Sequence, residues 1–235
     1  MQLLRILQSQ GFGARRACRE LILAGHVQVN GRVVEDPEAE CDTAALTLTL
    51  DGQDWRYREK VYLALHKPAG FECSRQAQHH PSVFGLLPAP LLERGVQPVG
   101  RLDQDSTGLL LLSDDGAFIH RYTSPKKEIG KTYRVVCKHP VSETQIAALL
   151  DGVLLRDEPA PIAARACARV SENVIDLGIA EGKYHQVKRM LAAAGNRVES
   201  LCRTRVGGYS LPSDLGAGQW RYLEDADLAR LAESA

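Results

Sequence analysis

The sequence predicts an α+β fold, in which a small N-terminal αβ module precedes a larger domain with a large mixed, mainly antiparallel sheet flanked by helices. Residues 11–34 read as helix, strand, tight turn and strand, and residues 161–179 alternate between apolar and polar side chains like a hairpin. Strand–helix–strand repeats, which would indicate a parallel sheet, are scarce. We place the module at residues 1–58 and the second domain at residues 60–235.

The composition is that of an ordinary globular protein. The chain has 235 residues, of which 44% are hydrophobic and 25% charged, so it can bury a substantial core. No apolar run approaches the roughly 18 residues of a membrane span, and the N-terminus lacks a secretory pattern, so we expect a cytoplasmic protein with no membrane partner. The six cysteines form no C-x-x-C pair, and the one histidine pair has no third ligand nearby. We therefore expect reduced thiols and no bound metal.

Charge is arranged in blocks, although the 29 basic and 29 acidic side chains cancel. Residues 1–34 contain five arginines and one glutamate, whereas residues 35–54 contain seven acids and no lysine or arginine. Residues 119–138 and 183–205 each contain six basic side chains and one acid. Such blocks predict basic stripes on the surface, suited to a polyanionic partner.

The main helix of the module is predicted from a set of apolar residues at helical spacing. These are Ala14, Ala17, Cys18, Leu21 and Ile22. Gly25 is placed to end the helix in the left-handed conformation, and Asn30-Gly31 is a strong signal for a two-residue hairpin turn. A shorter helix, residues 3–8, precedes this unit.

Three arginines in the first turns of this helix, Arg15, Arg16 and Arg19, lie off its apolar face. Cations there oppose the helix macrodipole at a cost of about 0.3–1 kcal/mol each, and a bound phosphate would remove the conflict. The alternative is that they are only solvated surface charges. The stretch resembles the small RNA-binding module of a small-subunit ribosomal protein and of many RNA-modifying enzymes. The resemblance implies that these arginines, with Arg5, bind RNA.

A loop with two carboxylates precedes the longest apolar run of the second domain. The loop is GRLDQDSTG, residues 100–108, and the run is Leu109–Leu112, which is typical of a buried strand. Gly108 would permit the turn into that strand. Short polar side chains of the loop are expected to hydrogen-bond its own backbone; they are Asp105, Ser106 and Thr107.

Two known motifs share this spacing of carboxylates. An EF-hand calcium loop would need a helix on each side, whereas an apolar strand is predicted after the loop. The D-x-D-x-T motif of a magnesium-dependent phosphatase matches Asp103, Asp105 and Thr107, but there the apolar strand precedes the motif. We keep the phosphatase as an alternative.

Five segments, in order along the chain, resemble the motifs of RNA pseudouridine synthases that carry the same N-terminal module. They are HKPAG (66–70), GRLDQDSTGLLLLS (100–113), KTY (131–133), EGKYHQVKRML (181–191) and RVGGYSLPSDLGAGQWRYL (205–223). The resemblance implies an isomerase that converts uridine to pseudouridine and needs no cofactor and no metal. The GKYHQVKRM segment resembles the bacterial branch that acts on 16S ribosomal RNA, free or within a 30S assembly intermediate; an enzyme acting on 23S ribosomal RNA is the alternative. We expect a monomer.

The resemblance also implies roles for individual residues. It makes Asp103 the catalytic carboxylate, whether this attacks the sugar, attacks the base or removes a ribose proton, and it makes Tyr133 a contact of the uracil ring. Lys188 lies at the edge of the apolar face of a helix predicted over residues 184–194, so we expect it to pair with Asp103, and Arg189 to face RNA phosphate.

Arg101 is expected to fill the gap left by an extruded base or to contact phosphate.

The remaining alternative to an enzyme is a non-catalytic RNA-binding ribosome-assembly factor that keeps the fold without turnover.

Overall fold

A computed structural model describes residues 1–233 and divides the chain into two compact units. The first contains residues 1–61 and 87–97, and the second contains residues 62–86 and the chain from residue 98 onward. Segment 87–97, which the sequence pattern places in the second domain, thus packs in the first unit. One reason is Arg94, whose guanidinium donates to the side-chain oxygen of Gln10 and to the carbonyls of Arg58 and Glu59.

The first unit consists of short helices and a four-stranded antiparallel sheet in the order β2-β1-β3-β4. Its helices are α1 (Leu3–Ser9), α2 (Arg15–Leu23) and α3 (Ala89–Glu93). Its strands are β1 (Val27–Val29), β2 (Arg32–Val33), β3 (Thr47–Leu50) and β4 (Gln53–Arg56). Four fully buried apolar side chains of α1 form the centre of its core, with Cys18 and Ile22 of α2.

The predicted local structure of the module is confirmed in its turns and corrected in one helix. Asn30 and Gly31 have φ of 49° and 78°, as a two-residue hairpin turn of this kind requires. Ala14 and Ala17, however, are exposed. Ala14 is the N-cap rather than part of α2, and only the narrow side of α2 that carries Cys18 and Ile22 is buried.

The second unit is built on a nine-stranded sheet with the path β13-β5-β7-β11-β8-β10-β9. All its pairings along this path are antiparallel except that of β7 with β11. Two short strands, β6 and β12, pair with β7 and β11. The strands are β5 (Tyr62–Lys67), β6 (Gln97–Pro98), β7 (Thr107–Ser113), β8 (Lys131–Cys137), β9 (Ala166–Ser171), β10 (Val174–Ile179), β11 (Val198–Val206), β12 (Tyr209–Ser210) and β13 (Trp220–Tyr222). The predicted fold class is confirmed.

Strand β7 is the predicted leucine strand, and it lies between β5 and β11 with every residue after Thr107 buried. Gly108 allows the close parallel contact with β11. Its φ is +101°, and a Cβ at this position would lie 2.3 Å from the carbonyl oxygen of Arg203. The loop that carries the two aspartates is therefore attached to the most deeply buried strand of the sheet.

In the second unit, up to residue 233, four α-helices accompany two short 3-10 helices, Val83–Leu86 and Pro125–Lys127. The α-helices are α4 (Gly116–Thr123), α5 (Glu143–Asp151), α6 (Gln186–Ala193) and α7 (Asp225–Ala232). Across residues 1–233, every helix is too short or too polar to cross a membrane. All six cysteine thiols are free, and no three metal-ligating side chains gather within the same range.

Candidate active site

A cavity of about 320 Å³ in the second unit brings together residues from five separate segments. The loop 100–106, the end of α4, the start of β8, the segment 179–188 and strand β11 form its walls. Asp103, Tyr133 and Lys188 all line it, and so does Arg101. The three predicted catalytic residues thus share one cavity, although they are far apart in sequence.

Lys188 binds both carboxylates of the loop. Its Nζ lies 3.0 Å from Asp103 Oδ2 and 2.7 Å from Asp105 Oδ1. Burial acts to lower the pKa of Lys188, but the hydrogen bonds and charges of Asp105 and Asp103 outweigh burial and raise it. Burial likewise acts to raise the pKa of Asp105, and Lys188 outweighs it, so this pKa is lowered. Asp105 therefore holds the lysine rather than only the loop backbone.

The segment before α6 places an imidazole near Asp103. His185 has φ 48° and ψ 32°, a left-handed conformation, and its Nε2 lies 3.4 Å from Asp103 Oδ1. Because a left-handed residue cannot continue a right-handed helix, α6 begins at Gln186 and not at residue 184 as its periodicity predicts. Gln186 secures the turn through the amide of Lys183 and the carboxylate of Glu181.

Lys67 supports the same loop from the interior. Its side chain is fully buried, and its Nζ donates to the carbonyls of Pro68, Gln104 and Ser106 at 3.0, 3.0 and 2.7 Å. Burial lowers the pKa of this lysine, with the nearby aspartates opposing the shift. A buried ammonium that satisfies three backbone acceptors fixes the path of the loop and so the position of Asp103.

Tyr133, Lys131 and Arg203 also line the cavity. Tyr133 lies on the buried face of β8, as predicted. Lys131 Nζ donates to the carbonyl of Ile129 at 2.9 Å, and burial, together with the charge of Arg203, lowers its pKa to about 8. Arg203 is 3% exposed, and its Nε donates to the carbonyl of Leu109 at 2.7 Å.

Other residues predicted for the site lie elsewhere or make other contacts. Arg189 is half-buried, and its guanidinium donates to the carbonyls of Tyr184 and Arg156 and so ties two loops together. Thr107 bonds across to strand β11, through the carbonyl of Leu201 at 3.4 Å, and not to its own loop. Ser106 Oγ, also expected to bond the loop, has no hydrogen-bond partner among residues 1–233.

The four arginines predicted to bind RNA lie on α1 and α2 of the first unit, and all are exposed. Two of them have partners there. Arg16 pairs with Glu20 at 2.9 Å, and Arg19 lies 3.9 Å from Glu38. Arg5 and Arg15 have no ion pair within the described part of the chain.

Two buried cations of the site, Lys67 and Arg203, are absent from the sequence-based prediction, although the strand pattern contains a signal for both. In β5, Lys67 continues the alternation of Val61, Leu63 and Leu65, all of which are buried. Arg203 follows the buried Leu201 at the same spacing. A cation at an inward position of a strand is costly unless it is paired, so its presence indicates a specific role. His185 carried no such signal, because its position depends on a turn between two loops.

Two family models match the chain. Residues 61–193 match the RNA pseudouridylate synthase model, and residues 1–44 match the S4 domain model. The match to the pseudouridylate synthase model excludes the phosphatase alternative. The structure agrees, because strand β7 follows the two aspartates instead of preceding them. The S4 domain implies that RNA is bound.

Several known proteins are similar to this chain over most of its length. An uncharacterised RNA pseudouridine synthase of Bacillus subtilis, YtzG, is 36% identical over 99% of both chains. Ribosomal small subunit pseudouridine synthase A of Vibrio vulnificus is 37% identical over 91% of this chain and 92% of its own, and that of Escherichia coli is 40% identical over 72% of each. A crystal structure of a pseudouridylate synthase superposes with a TM-score of 0.70 at 33% identity, covering 99% of this chain and all of its own. The chain belongs to the RNA pseudouridine synthase family and is an isomerase with an N-terminal S4 domain.

Proposed function

We propose that this protein converts one uridine of 16S ribosomal RNA to pseudouridine in the bacterial cytoplasm. The observation that carries this proposal is its similarity, at 36–38% identity over about nine tenths of the chain, to several proteins named ribosomal small subunit pseudouridine synthase A. The motif GKYHQVKRM favours the same branch. The RNA would be bound free or within a 30S assembly intermediate.

Asp103 is the catalytic carboxylate in this proposal. It lies at the cavity wall, where the ammonium of Lys188, 3.0 Å away, holds it in place and balances its charge. A bound base would exclude water from this site, and a carboxylate held there could act as a nucleophile or as a base. Asp105 shares the lysine, and Thr107 anchors the loop to β11, so both are positioning residues. Tyr133 would contact the uracil ring.

RNA binding would be divided between the two units. A uridine must leave its helix or loop before it can enter a cavity, and Arg101, exposed at the cavity's edge, is suited to take the vacated place or to contact phosphate. Arg5, Arg15, Arg16 and Arg19 would contact phosphates elsewhere on the same RNA. Arg189 would act indirectly, by holding the loops to which it donates.

Pseudouridine mapping tests the proposal. Unmodified 16S transcripts and 30S assembly intermediates would be incubated with the protein, with Asp103→Asn and with Asp151→Asn, an exposed carboxylate at the end of α5. We expect one new pseudouridine from the unaltered protein and from Asp151→Asn and none from Asp103→Asn. Modification of 23S transcripts alone would refute the small-subunit assignment. Tight RNA binding without modification of any transcript would favour an assembly factor.

A further inference from the structure

Two residues that line the cavity each contain a buried polar group without a hydrogen-bond partner. The two groups are Ser106 Oγ and Arg203 Nη2, and neither finds an acceptor or donor among residues 1–233. Their residues are 1% and 3% exposed, and both line the cavity that contains Asp103. Leaving such a group unsatisfied destabilises the folded protein, and more so when the group is charged, so native structures seldom retain one without a use.

Neither group has a structural task that explains it. The Nε of Arg203 already donates to the carbonyl of Leu109, and its backbone is fixed because Arg203 lies opposite Gly108 in the parallel pairing of β11 with β7. Ser106 contributes to the loop through its carbonyl, which accepts from Lys67, while its hydroxyl bonds to nothing in the described part of the chain. Two residues with unused hydrogen-bonding groups therefore line one cavity.

The isomerisation supplies a matching acceptor. Uracil has two carbonyl oxygens, O2 and O4. If the N1–C1′ bond breaks with its electron pair left on N1, the charge spreads onto both oxygens. If a carboxylate instead adds to C6, the electron pair of the C5–C6 double bond moves toward O4. Each route therefore increases negative charge on a uracil oxygen, where a preorganised donor is most effective.

We propose that Arg203 Nη2 and Ser106 Oγ donate hydrogen bonds to the carbonyl oxygens of the target uracil and stabilise the charge that develops on them. This rests on the isomerisation taking place in the cavity that holds Asp103. A guanidinium is the donor best suited to the task because it remains charged throughout and its hydrogen bond to an anionic oxygen is strengthened by charge. The two residues define the part of the cavity that distinguishes uracil by its carbonyl edge.

Two substitutions separate this role from a structural one. Ser106→Ala removes an unpartnered hydroxyl, so the folded protein should be as stable as before or more stable. Arg203→Lys places an ammonium near the position of Nε, where it can still reach the carbonyl of Leu109, but removes Nη2. The matched control is Arg205→Lys, because Arg205 lies on the same strand and bonds the backbone carbonyl of Gly207 without lining the cavity.

The rate would be measured as tritium release from transcripts labelled at uridine C5, under single turnover with saturating protein. We expect Ser106→Ala to slow the reaction about 10-fold and Arg203→Lys about 100-fold, with RNA affinity and thermal unfolding temperature close to those of the unaltered protein. Arg205→Lys should retain the full rate. An unchanged rate for Ser106→Ala, or a rate for Arg203→Lys no lower than that of Arg205→Lys, overturns the assignment of that residue.

Labelled 16S and 23S transcripts are assayed separately, so that release from 23S alone would refute the small-subunit assignment while the variants, tested on that transcript, still decide this one. If Arg203→Lys fails to fold, Ser106→Ala decides alone.

Discussion

Replacing Lys67 with methionine should loosen the loop that carries Asp103. Methionine has a similar length and fills the same apolar space, but it offers no donor to the carbonyls of Pro68, Gln104 and Ser106, which the ammonium contacts at 2.7–3.0 Å. Ser106 is 1% exposed, so leaving its carbonyl without a donor would lower the free energy of unfolding by about 1–3 kcal/mol. The carbonyls of the half-buried Gln104 and Pro68 can instead accept hydrogen bonds from water, which recovers part of their loss. Removing a buried ammonium, whose desolvation is costly, returns some of that energy. The expected net destabilisation is about 2–4 kcal/mol.

Urea unfolding measures this effect if the signal reports the second unit alone. The chain has two tryptophans, Trp55 in the first unit and Trp220 in β13, which pairs with β5. In a Trp55→Phe background, the fluorescence of Trp220 therefore follows the sheet that contains Lys67. The exposed Lys138, just after β8, provides the control Lys138→Met.

The reaction rate should fall together with the stability. A displacement of Asp103 by about 1 Å is enough to reduce the rate about 100-fold. A free energy of unfolding for Lys67→Met within about 0.5 kcal/mol of that for Lys138→Met would refute the reasoning, because changes of that size are typical of ordinary surface substitutions.

Three further predictions concern the close strand contact at Gly108, the dependence of stability on pH through Lys131, and the dependence of RNA binding on salt. Gly108→Ala should abolish the close pairing of β7 with β11 and leave little soluble protein. Gly116→Ala, where an added Cβ meets nothing within 4 Å, should fold normally. Equal yields of soluble protein from the two variants would contradict this prediction. The pKa of Lys131 is about 8 in the folded protein, against the ordinary value of 10.5 expected for the unfolded chain, so the unfolded chain binds more protons between these values. The stability of the protein relative to Lys131→Met should therefore rise between pH 8 and 10.5 and be flat below pH 8, and a flat difference throughout would count against it. RNA affinity should fall steeply as the salt concentration rises. Arg15→Gln should reduce the slope of log affinity against log salt concentration by about 1. Arg134→Gln should leave that slope unchanged, because Arg134 is already paired with Asp176.

Most of the local structure could be predicted from the sequence, because its causes lie within a few residues. The Asn30-Gly31 turn follows from turn chemistry, the leucine strand β7 from a continuous apolar run, and the buried face of β8 from a period of two. One error is also local in origin. Helix α6 was predicted two residues too long at its start because periodicity cannot reveal the left-handed conformation of His185.

Contacts of the candidate site were predictable only in part. The pairing of Lys188 with Asp103 follows from its position on α6, but the sharing of that lysine with Asp105 depends on how the loop is folded. The two carbonyls to which Arg189 donates were not predictable, because one of them belongs to a distant loop. A long flexible side chain can reach several partners, and the sequence does not rank them.

By itself, the sequence determined the family and the order of the elements, and it indicated the residues proposed for the chemistry, because motif and periodicity are properties of neighbouring residues. Only the tertiary structure decided that β11 lies parallel to β7, since strand pairing over such a separation depends on the packing of the whole sheet. That pairing places Arg203 against Gly108, close along the chain to Ser106 and its unpartnered hydroxyl. The fully buried Lys67 beneath the loop is likewise explained only by the three carbonyls that the fold brings to it.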